Sequence, residues 1–409
     1  LNKKKIINDP VYGFINIPNE LIYDIIDHPF LQRLRRIKQL GLTDYVYPGA
    51  LHTRFHHALG AMHLMKETLD NLREKGIEID DDEYTAALLA ILLHDIGHAP
   101  FSHALEQVLA PGVPHEQISS LIMEELNRQY NGALDLALKM FNSQYERKFF
   151  NQLIASQLDI DRLDYLNRDS FFTGVSEGKI GSERIIKLLT VVNNEIIVEE
   201  KGIYSIENFL SARRLMYWQV YLHKTTIGVE KMLIQLVSRM RHLIQNGAEL
   251  HFSPELNSFL SGQFSEEDFK RDKNLLAAYL SLDDYDILYA VKQGLHSGDN
   301  VLKQLGEMLL ERKLFKVKLQ ESPFNVGEIT SLKEKVSAQL KVNMEEAGFF
   351  VSSGEISNAA YLIGGKKIKV LKKSGEIVDV AVASDLPNIK AMRKIVKKFY
   401  LSWPKILTL

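Results

Sequence analysis

The sequence predicts a mainly α-helical protein that carries a small α+β appendage at its C-terminal end. Three observations lead there. Apolar residues recur at helical spacing through most of the chain up to about Gln320. Beyond Ser322-Pro323 the texture changes to short β-rich segments separated by turn residues. A chain of 409 residues also exceeds what one small core holds. The expected division is therefore residues 1–322 for the helical core and its extension, and 323–409 for the appendage.

Taken in order, Ile6 to Ile17 reads as a strand pair around Pro10 and Gly13. Helical spacing follows from Leu21 to Leu40, interrupted at Pro29 and dense in cations between Gln32 and Gln39. Thr53 is the expected N-cap of a helix that begins at Arg54. Arg54 and His57 are three apart and share a face of that helix, whereas His56 and His63 read as structural or surface residues. Carboxylates from Asp80 to Glu83 open the next helix, which is apolar from Ala86 to Leu93 and therefore buried. Its last turn is expected to bring His94 and Asp95 inside before Gly97 ends it. Ser102 should cap a following helix on which His103 and Glu106 are three apart, and Pro114 should open another with His115 in its first turn.

From Gln157 to Asp169 a helix would set Asp161, Tyr165 and Asp169 in one stripe, with Arg162 beside it. A strand pair is expected at Glu195 to Val198 and Ile203 to Ser205, turning at Lys201-Gly202. A long helix from about Ser205 would then carry Arg213, Tyr217, Tyr221 and Lys224 on a second polar-aromatic stripe. Leu233 to Gln320 reads as helical scaffold. In the appendage we expect a helix near Leu332 to Glu346, strands at Phe349 to Ser353 and Lys367 to Ala383 with a Ser374-Gly375 turn, and a basic helix near Asn388 to Tyr400.

Composition narrows the chemistry. Without cysteine there are no disulfides, thiolate-zinc sites or cysteine nucleophiles, so any metal must be held by nitrogen and oxygen. A formal net charge of −2 gives no global attraction to nucleic acid. No apolar run reaches the roughly 18 residues a membrane span needs, and Lys3 to Lys5 are followed by too few apolar residues for a secretory signal. Cytoplasm is the expected compartment. Against this background the segment His94 to His103 stands out, with three histidines and an aspartate in ten residues. An adjacent His-Asp pair at the end of a buried helix offers one imidazole nitrogen and one carboxylate to a divalent ion, provided other helices supply the remaining ligands.

His57, His94-Asp95 and Asp161 lie on three predicted helices, and this H…HD…D set resembles that of the HD-domain phosphohydrolases. Asn8-Asp9-Pro10, Gln32 to Arg35, Ile37 to Gly41, Tyr47 to Ala50, Arg54-Phe55, His94 to His103, His115-Glu116 and Asp159 to Tyr165 extend the likeness. Together they resemble the deoxynucleoside triphosphate triphosphohydrolases within that superfamily, over roughly Ile6 to Lys224.

The resemblance implies an HD-domain helical fold and cleavage of a dNTP at its α-phosphate, giving deoxynucleoside and inorganic triphosphate. It implies that His57, His94, Asp95 and Asp161 hold a divalent metal (Fe, Mn, Ni, Zn or Co), with Mg accompanying the substrate phosphates. Arg54, Arg162 and Arg213 would grip the phosphates. His98, His103 and His115 would lie close to the reacting phosphorus, with His103 or His115 as leaving-group acid oriented by Glu106. Gln39 and Asp169 would meet the sugar 3′-hydroxyl, Tyr165 would occupy the space of a 2′-hydroxyl, and Tyr221 would sit near sugar and base.

Leu222 stands where the family carries Gln, which leaves base preference open, and no sterile-alpha-motif module is expected. Asp27, Gln32, Arg35, Lys201, His223 and Lys224 match positions that bind effector nucleotides between subunits, implying a homo-oligomer, dimer or tetramer. Two other readings are an HD phosphohydrolase of another nucleotide or phosphomonoester, and a non-catalytic nucleotide sensor. The sensor has no use for a leaving-group acid.

Overall fold

The computed structural model describes residues 5–358, 367–385, 396–405 and 407. An antiparallel hairpin opens it, β1 (Ile6–Asp9) and β2 (Gly13–Asn16), with Gly13 at φ +74°. Then come α1 (Glu20–Asp27), α2 (Pro29–Gln32) and a 3-10 turn over Arg33–Arg36, so the cationic segment stops being helical at Arg36 rather than running on to Leu40. Residues 37–39 instead run extended beside 52–54, joined by the Lys38–Thr53 bridge and by bonds from Gln39 N–H to His52 O (3.0 Å) and Arg54 N–H to Ile37 O (2.9 Å).

The centre of the molecule is α3 (Arg54–Glu74) packed on α4 (Asp81–Leu93). Thr53 caps α3, its N–H donating to His56 Nδ1 at 3.1 Å, which gives His56 the structural role expected of it. Asp80 and Glu83 cap α4 reciprocally, each carboxylate accepting the other's backbone N–H. Every residue of α4 from Ala86 to Leu93 is buried. The helix ends at Leu93, however, and His94 to Gly97 form a turn. Ser119 holds this turn by accepting from Gly97 N–H (3.0 Å) and donating to His94 O (2.8 Å), while Tyr279 Oη donates to Gly97 O (2.9 Å). Two tertiary partners thus stop the helix before its glycine.

The chain continues through α5 (His103–Leu109), α6 (His115–Gln129), α7 (Asp135–Phe141), α8 (Lys148–Ile154), α9 (Ile160–Thr173) and α10 (Ser182–Lys187). Asp159 caps α9 by accepting from Arg162 N–H at 2.8 Å, and Gly174 closes it at φ +74°. Ser102 stands at the N-cap position of α5 but makes no capping bond. Its φ of +58°, following +55° at Phe101, turns the hydroxyl toward Lys38 O (2.9 Å) and Arg54 Nε (2.7 Å). Two consecutive non-glycine residues in left-handed backbone are costly by roughly 1–3 kcal/mol each. Here the Asp284 carboxylate holds them by accepting from Phe101 N–H at 2.6 Å.

The second hairpin lies earlier than expected. It comprises β3 (Leu189–Val192) and β4 (Glu195–Glu199), turning at Asn193-Asn194, both with positive φ. Asparagine tolerates that conformation; Lys201-Gly202 belongs to a 3-10 turn that leads into α11 (Ile203–Met216). The expected long helix also breaks. A π-helical turn, Tyr217–Tyr221, follows α11, and His223 then caps α12 (Lys224–Gln245) by accepting from Thr225 N–H at 3.2 Å.

The scaffold helices are α13 (Pro254–Ser261), α14 (Glu266–Arg271), α15 (Lys273–Ser281), α16 (Asp284–Gly294) and α17 (Asn300–Leu310). The last stretch read as scaffold is instead a strand, β5 (Phe315–Gln320), with Phe315 and Val317 buried between exposed lysines. After it come α18 (Val326–Leu340), α19 (Met344–Ala347), β6 (Ser352–Asn358), β7 (Lys369–Leu371), β8 (Ile377–Asp379), α20 (Val380–Ala383) and β9 (Val396–Pro404).

The expected basic helix is therefore strand over 396–400, where pairing with β5 and β6 on its two sides overrides local preference, and its remainder lies outside the described residues. The sheets are β5-β9-β6 and β3-β4-β7-β8, in which β4 and β7 run parallel. The C-terminal strands thus complete sheets begun before residue 322. Among the described residues no helix is long and apolar enough to cross a membrane.

Candidate active site

Three elements bring the four expected metal ligands together: the first turn of α3 (His57), the turn after α4 (His94, Asp95) and the first turn of α9 (Asp161). His57 Nε2 is 3.4 Å from His94 Nε2, 3.2 Å from Asp161 Oδ1 and 3.6 Å from Asp95 Oδ2. His94 Nε2 is 3.4 Å from Asp95 Oδ1 and 3.6 Å from Asp161 Oδ1. Two ligands each about 2.1 Å from one ion stand about 3.0–3.4 Å apart, so His57, His94 and Asp161 are spaced close to what a shared cation requires, with the Asp95 carboxylate beside them.

The backs of both rings support the same conclusion. His57 Nδ1 is 2.7 Å from Asp164 Oδ2 and His94 Nδ1 is 2.6 Å from Ile91 O, so each ring donates its Nδ1 proton and leaves Nε2 as the ligand nitrogen. Two such lone pairs facing each other at 3.4 Å repel unless a positive charge lies between them. Without an ion a proton fills that place: burial alone would lower the His57 pKa, but its bonds to Asp161 and Asp164 outweigh burial and raise it to about 10, so a metal binds Nε2 by displacing a proton. Burial likewise works against the charged form of Asp95, yet His94, Arg54 and His57 hold that carboxylate well below its usual range. The donor set, two imidazoles and two carboxylates, fits a divalent transition metal.

Asp164, which holds the back of the His57 ring, lies outside the expected site residues, although its spacing of four from Arg168 is a helix-pair signal. Arg168, fully buried, grips Asp164 (Nε to Oδ2, 3.0 Å) and Asp9 of the hairpin (Nη1 to Oδ2, 2.7 Å). This network passes directly over Gly60 of α3. A Cβ at Gly60 would meet Arg168 Nη2 at 2.0 Å and Asp164 Oδ1 at 2.1 Å. Gly60→Ala is accordingly expected to part a buried ion pair and lower stability by about 3 kcal/mol or more, measurable by urea unfolding. Asp164→Asn keeps an acceptor for His57 Nδ1 but removes the charge that Arg168 and the ring both face, so it should lower stability and weaken metal affinity by about 10- to 100-fold in a competition titration with a chelating dye.

Beside the metal set lies a second cluster. Glu106 accepts from His103 Nδ1 (3.1 Å), His115 Nδ1 (3.2 Å) and His115 N–H (3.0 Å), and these bonds outweigh burial to lower its pKa. The His98 ring packs at a tilt of 33° against His115 with centroids 3.7 Å apart, and its Nδ1 is 3.1 Å from Asp95 O. Burial, reinforced by Arg54, His115 and His103, pushes the His98 pKa well down and favours the neutral ring. The three histidines expected near the reacting phosphorus thus lie against one another, Glu106 bridges His103 and His115, and His98 joins the cluster to Asp95. His103 is the accessible one, with 69% of its side chain exposed.

A wall of cations and aromatic rings extends from Asp161. Arg162 is paired with Asp159, and Arg213 Nη1 donates to Gln157 at 3.2 Å. Both have a buried Nε without a hydrogen-bond partner among the described residues. Burial raises the Tyr165 pKa, while Arg213 and Arg162 lie close enough to oppose that rise. The ring of Tyr165 meets Tyr221 edge-on at 6.2 Å, and Tyr221 in turn meets Tyr217 at 5.2 Å. Asp169 is 1% exposed and accepts from Tyr221 Oη (2.7 Å) and His52 Nε2 (2.8 Å). Gln39 reaches the same end through its backbone bond to His52, and its Oε1 is buried without a partner among the described residues. Arg54 differs from expectation in its neighbours. It donates to Asp95 and Ser102, and so bears on a metal ligand as well as on any anion beside it.

The six effector candidates separate into groups. Gln32 joins Arg35 (2.7 Å) and the Ile26 carbonyl next to exposed Asp27, while His223 and Lys224 begin α12 and Lys201 lies in the turn before α11.

Known proteins now bear on this geometry. Residues 54–169 match the HD domain and residues 180–251 the HD associated region. An uncharacterized protein, YwfO, of Bacillus subtilis is 31% identical across 100% of this chain and 94% of its own length. A crystal structure of a phosphohydrolase from Bacteroides thetaiotaomicron superposes with a TM-score of 0.95 at 49% identity, over 98% of this chain and 100% of that one. The human deoxynucleoside triphosphate triphosphohydrolase SAMHD1 is 27% identical over 84% of this chain and 61% of its own length. This chain belongs to the HD-domain, dNTPase-like family. It is a metal-dependent phosphohydrolase, and the HD domain of this family member runs from the first turn of α3, which carries His57, to Asp169 on α9.

Proposed function

We propose that this phosphohydrolase cleaves deoxynucleoside triphosphates to deoxynucleoside and inorganic triphosphate, with His57, His94, Asp95 and Asp161 holding its divalent ion. The carrying observation is that α9 runs on from the metal set to a polar end: Asp161, Arg162, Tyr165 and Asp169 lie on that helix, and Tyr221 donates to Asp169 and meets the Tyr165 ring edge-on. The names of relatives such as human SAMHD1 support the same substrate. When bound, the ion supplies a water of lowered pKa and polarises a phosphate oxygen.

The protein's own groups do the rest. Arg54, Arg162 and Arg213 offset the charge of the triphosphate and hold the α-phosphorus in place. Water bonds to that phosphorus and gives up a proton while the bond from phosphorus to the 5′-oxygen breaks. The leaving oxygen takes a proton from the His103-Glu106-His115 unit, whose carboxylate keeps both rings oriented by holding their Nδ1 protons. The proton that water released restores this unit through solvent. Asp169 and Gln39 receive the 3′-hydroxyl and Tyr165 fills the space of a 2′-hydroxyl. Asp27, Gln32 and Arg35 on one surface, with Lys201, His223 and Lys224, are the candidates for a nucleotide effector that joins copies of the chain.

The test is incubation of metal-loaded protein with each dNTP and NTP, products being separated by ion exchange, with and without a second nucleotide as effector. Triphosphate and deoxynucleoside are expected in equal amounts. Release of pyrophosphate or terminal phosphate alone would move the assignment to another HD phosphohydrolase, and no turnover of any nucleotide would favour a sensor.

A further inference from the structure

We infer that His52 is a positioning residue that sets the specificity of the site for a free 3′-hydroxyl, by fixing the carboxylate of Asp169. This inference rests on the proposed dNTP reading, in which Asp169 meets the sugar.

His52 lies just outside the matched HD domain, and nothing in its local sequence marks it. The structure gives it an unusual degree of constraint. It is 1% exposed, and its ring stacks on Phe172 with centroids 4.5 Å apart and planes 19° apart. The backbone is held as well, since its carbonyl accepts from Gln39 N–H within the extended pair formed by residues 37–39 and 52–54. Nε2 is 2.8 Å from Asp169 Oδ1, so this nitrogen carries the donated proton. Among the described residues Nδ1 is buried without a hydrogen-bond partner, as is Oε1 of Gln39.

The consequence concerns Asp169. With His52 on Oδ1 and Tyr221 on Oδ2, both oxygens are held from different elements, one from the strand-like segment before α3 and one from the π-turn after α11. A carboxylate held by one donor alone can swing about its Cβ–Cγ bond. Held by two, it presents its remaining lone pairs in one direction, and a ligand hydroxyl meets an acceptor that needs no reorganisation. The same segment places Gln39, whose unpartnered acceptor is a second group able to take a hydroxyl proton. His52 therefore ties together the two residues read as the 3′-end of the site without having to touch the sugar.

The measurement is kcat and KM for dGTP and for 2′,3′-dideoxy-GTP on parent and variants, with any required effector saturating. The parent is expected to prefer dGTP by about 10- to 100-fold in kcat/KM. His52→Phe keeps the ring stack and removes the donor. It should cut that preference about tenfold, chiefly through KM for dGTP, while leaving the dideoxy substrate within about twofold. His52→Gln, which retains a donor, should keep more of the preference than His52→Phe, and it serves as the second variant should the first fold poorly. On an Asp169→Asn background His52→Phe should produce no further loss of preference.

Equal losses for both substrates, or additive losses in the double variant, would reduce His52 to a structural role and overturn the inference. A parent that makes triphosphate from dGTP but accepts the dideoxy substrate equally would overturn it too, while leaving the proposed activity standing. A parent that makes no triphosphate from dGTP fails at the earlier step and removes both.

Discussion

Asp161→Ala is expected to remove bound metal and activity together while the helical fold stays intact. Asp161 is on the first turn of α9, a quarter exposed, and its Oδ1 faces both ligand imidazoles at 3.2 and 3.6 Å. The substitution leaves Asp159 to cap the helix and leaves the Asp164-Arg168-Asp9 network behind it untouched. Loss of the carboxylate leaves His57, His94 and Asp95 with one negative charge in place of two. Replacing even an outer partner of a metal ligand costs about 10- to 100-fold in affinity, and a direct ligand should cost more than about 100-fold. Elemental analysis of dialysed protein should find the variant empty, with its circular dichroism unchanged. Full metal occupancy in that variant would show the wrong carboxylate had been chosen, Asp164 being the obvious alternative three residues on.

The second large effect is expected from Tyr165→Ala, which should admit ribonucleotides. Tyr165 is one helical turn beyond Asp161 and one turn before Asp169, so a nucleotide with its α-phosphate at the metal would run its sugar along this ring. Tyr221 meets the ring edge-on at 6.2 Å and limits its freedom to move aside. A steric clash or an unpaired buried hydroxyl costs about 1–3 kcal/mol, equivalent to a parent preference of roughly ten- to hundredfold for dGTP over GTP. Most of that preference should disappear in Tyr165→Ala, through increased kcat/KM for GTP more than through loss for dGTP. A parent that already treats GTP and dGTP alike would exclude Tyr165 as the discriminating group.

The residues of the candidate metal set and of the histidine cluster, which the structure brings together, stood out in the chain because they are concentrated in a few motifs with helical spacing. Arg54 with His57, His103 with Glu106, and Asp161 with Tyr165 and Asp169 are each separated by one turn, a distance that helical geometry converts into a shared face. The buried run from Ala86 to Leu93 likewise announced the central helix by its lack of any polar side.

Other features depended on partners far along the chain. Ser119 and Tyr279 end the HD helix at Leu93, and Asp284 holds Phe101 and Ser102 in left-handed backbone, contacts that span 22 to 183 residues. Strand β9 exists because two other strands flank it. On α9 the sequence shows Asp161 and Asp164 as equals three residues apart; only the packing of α3 against that helix makes one face the metal side of His57 and the other its back. His52 and Asp169 are 117 residues apart, and their bond is invisible to any local pattern. Sequence alone determined which chemical groups this protein owns and which of them share a helix face, because those follow from residue type and a fixed period. The tertiary structure decided which face meets which, since that depends on how all the buried surfaces pack at once.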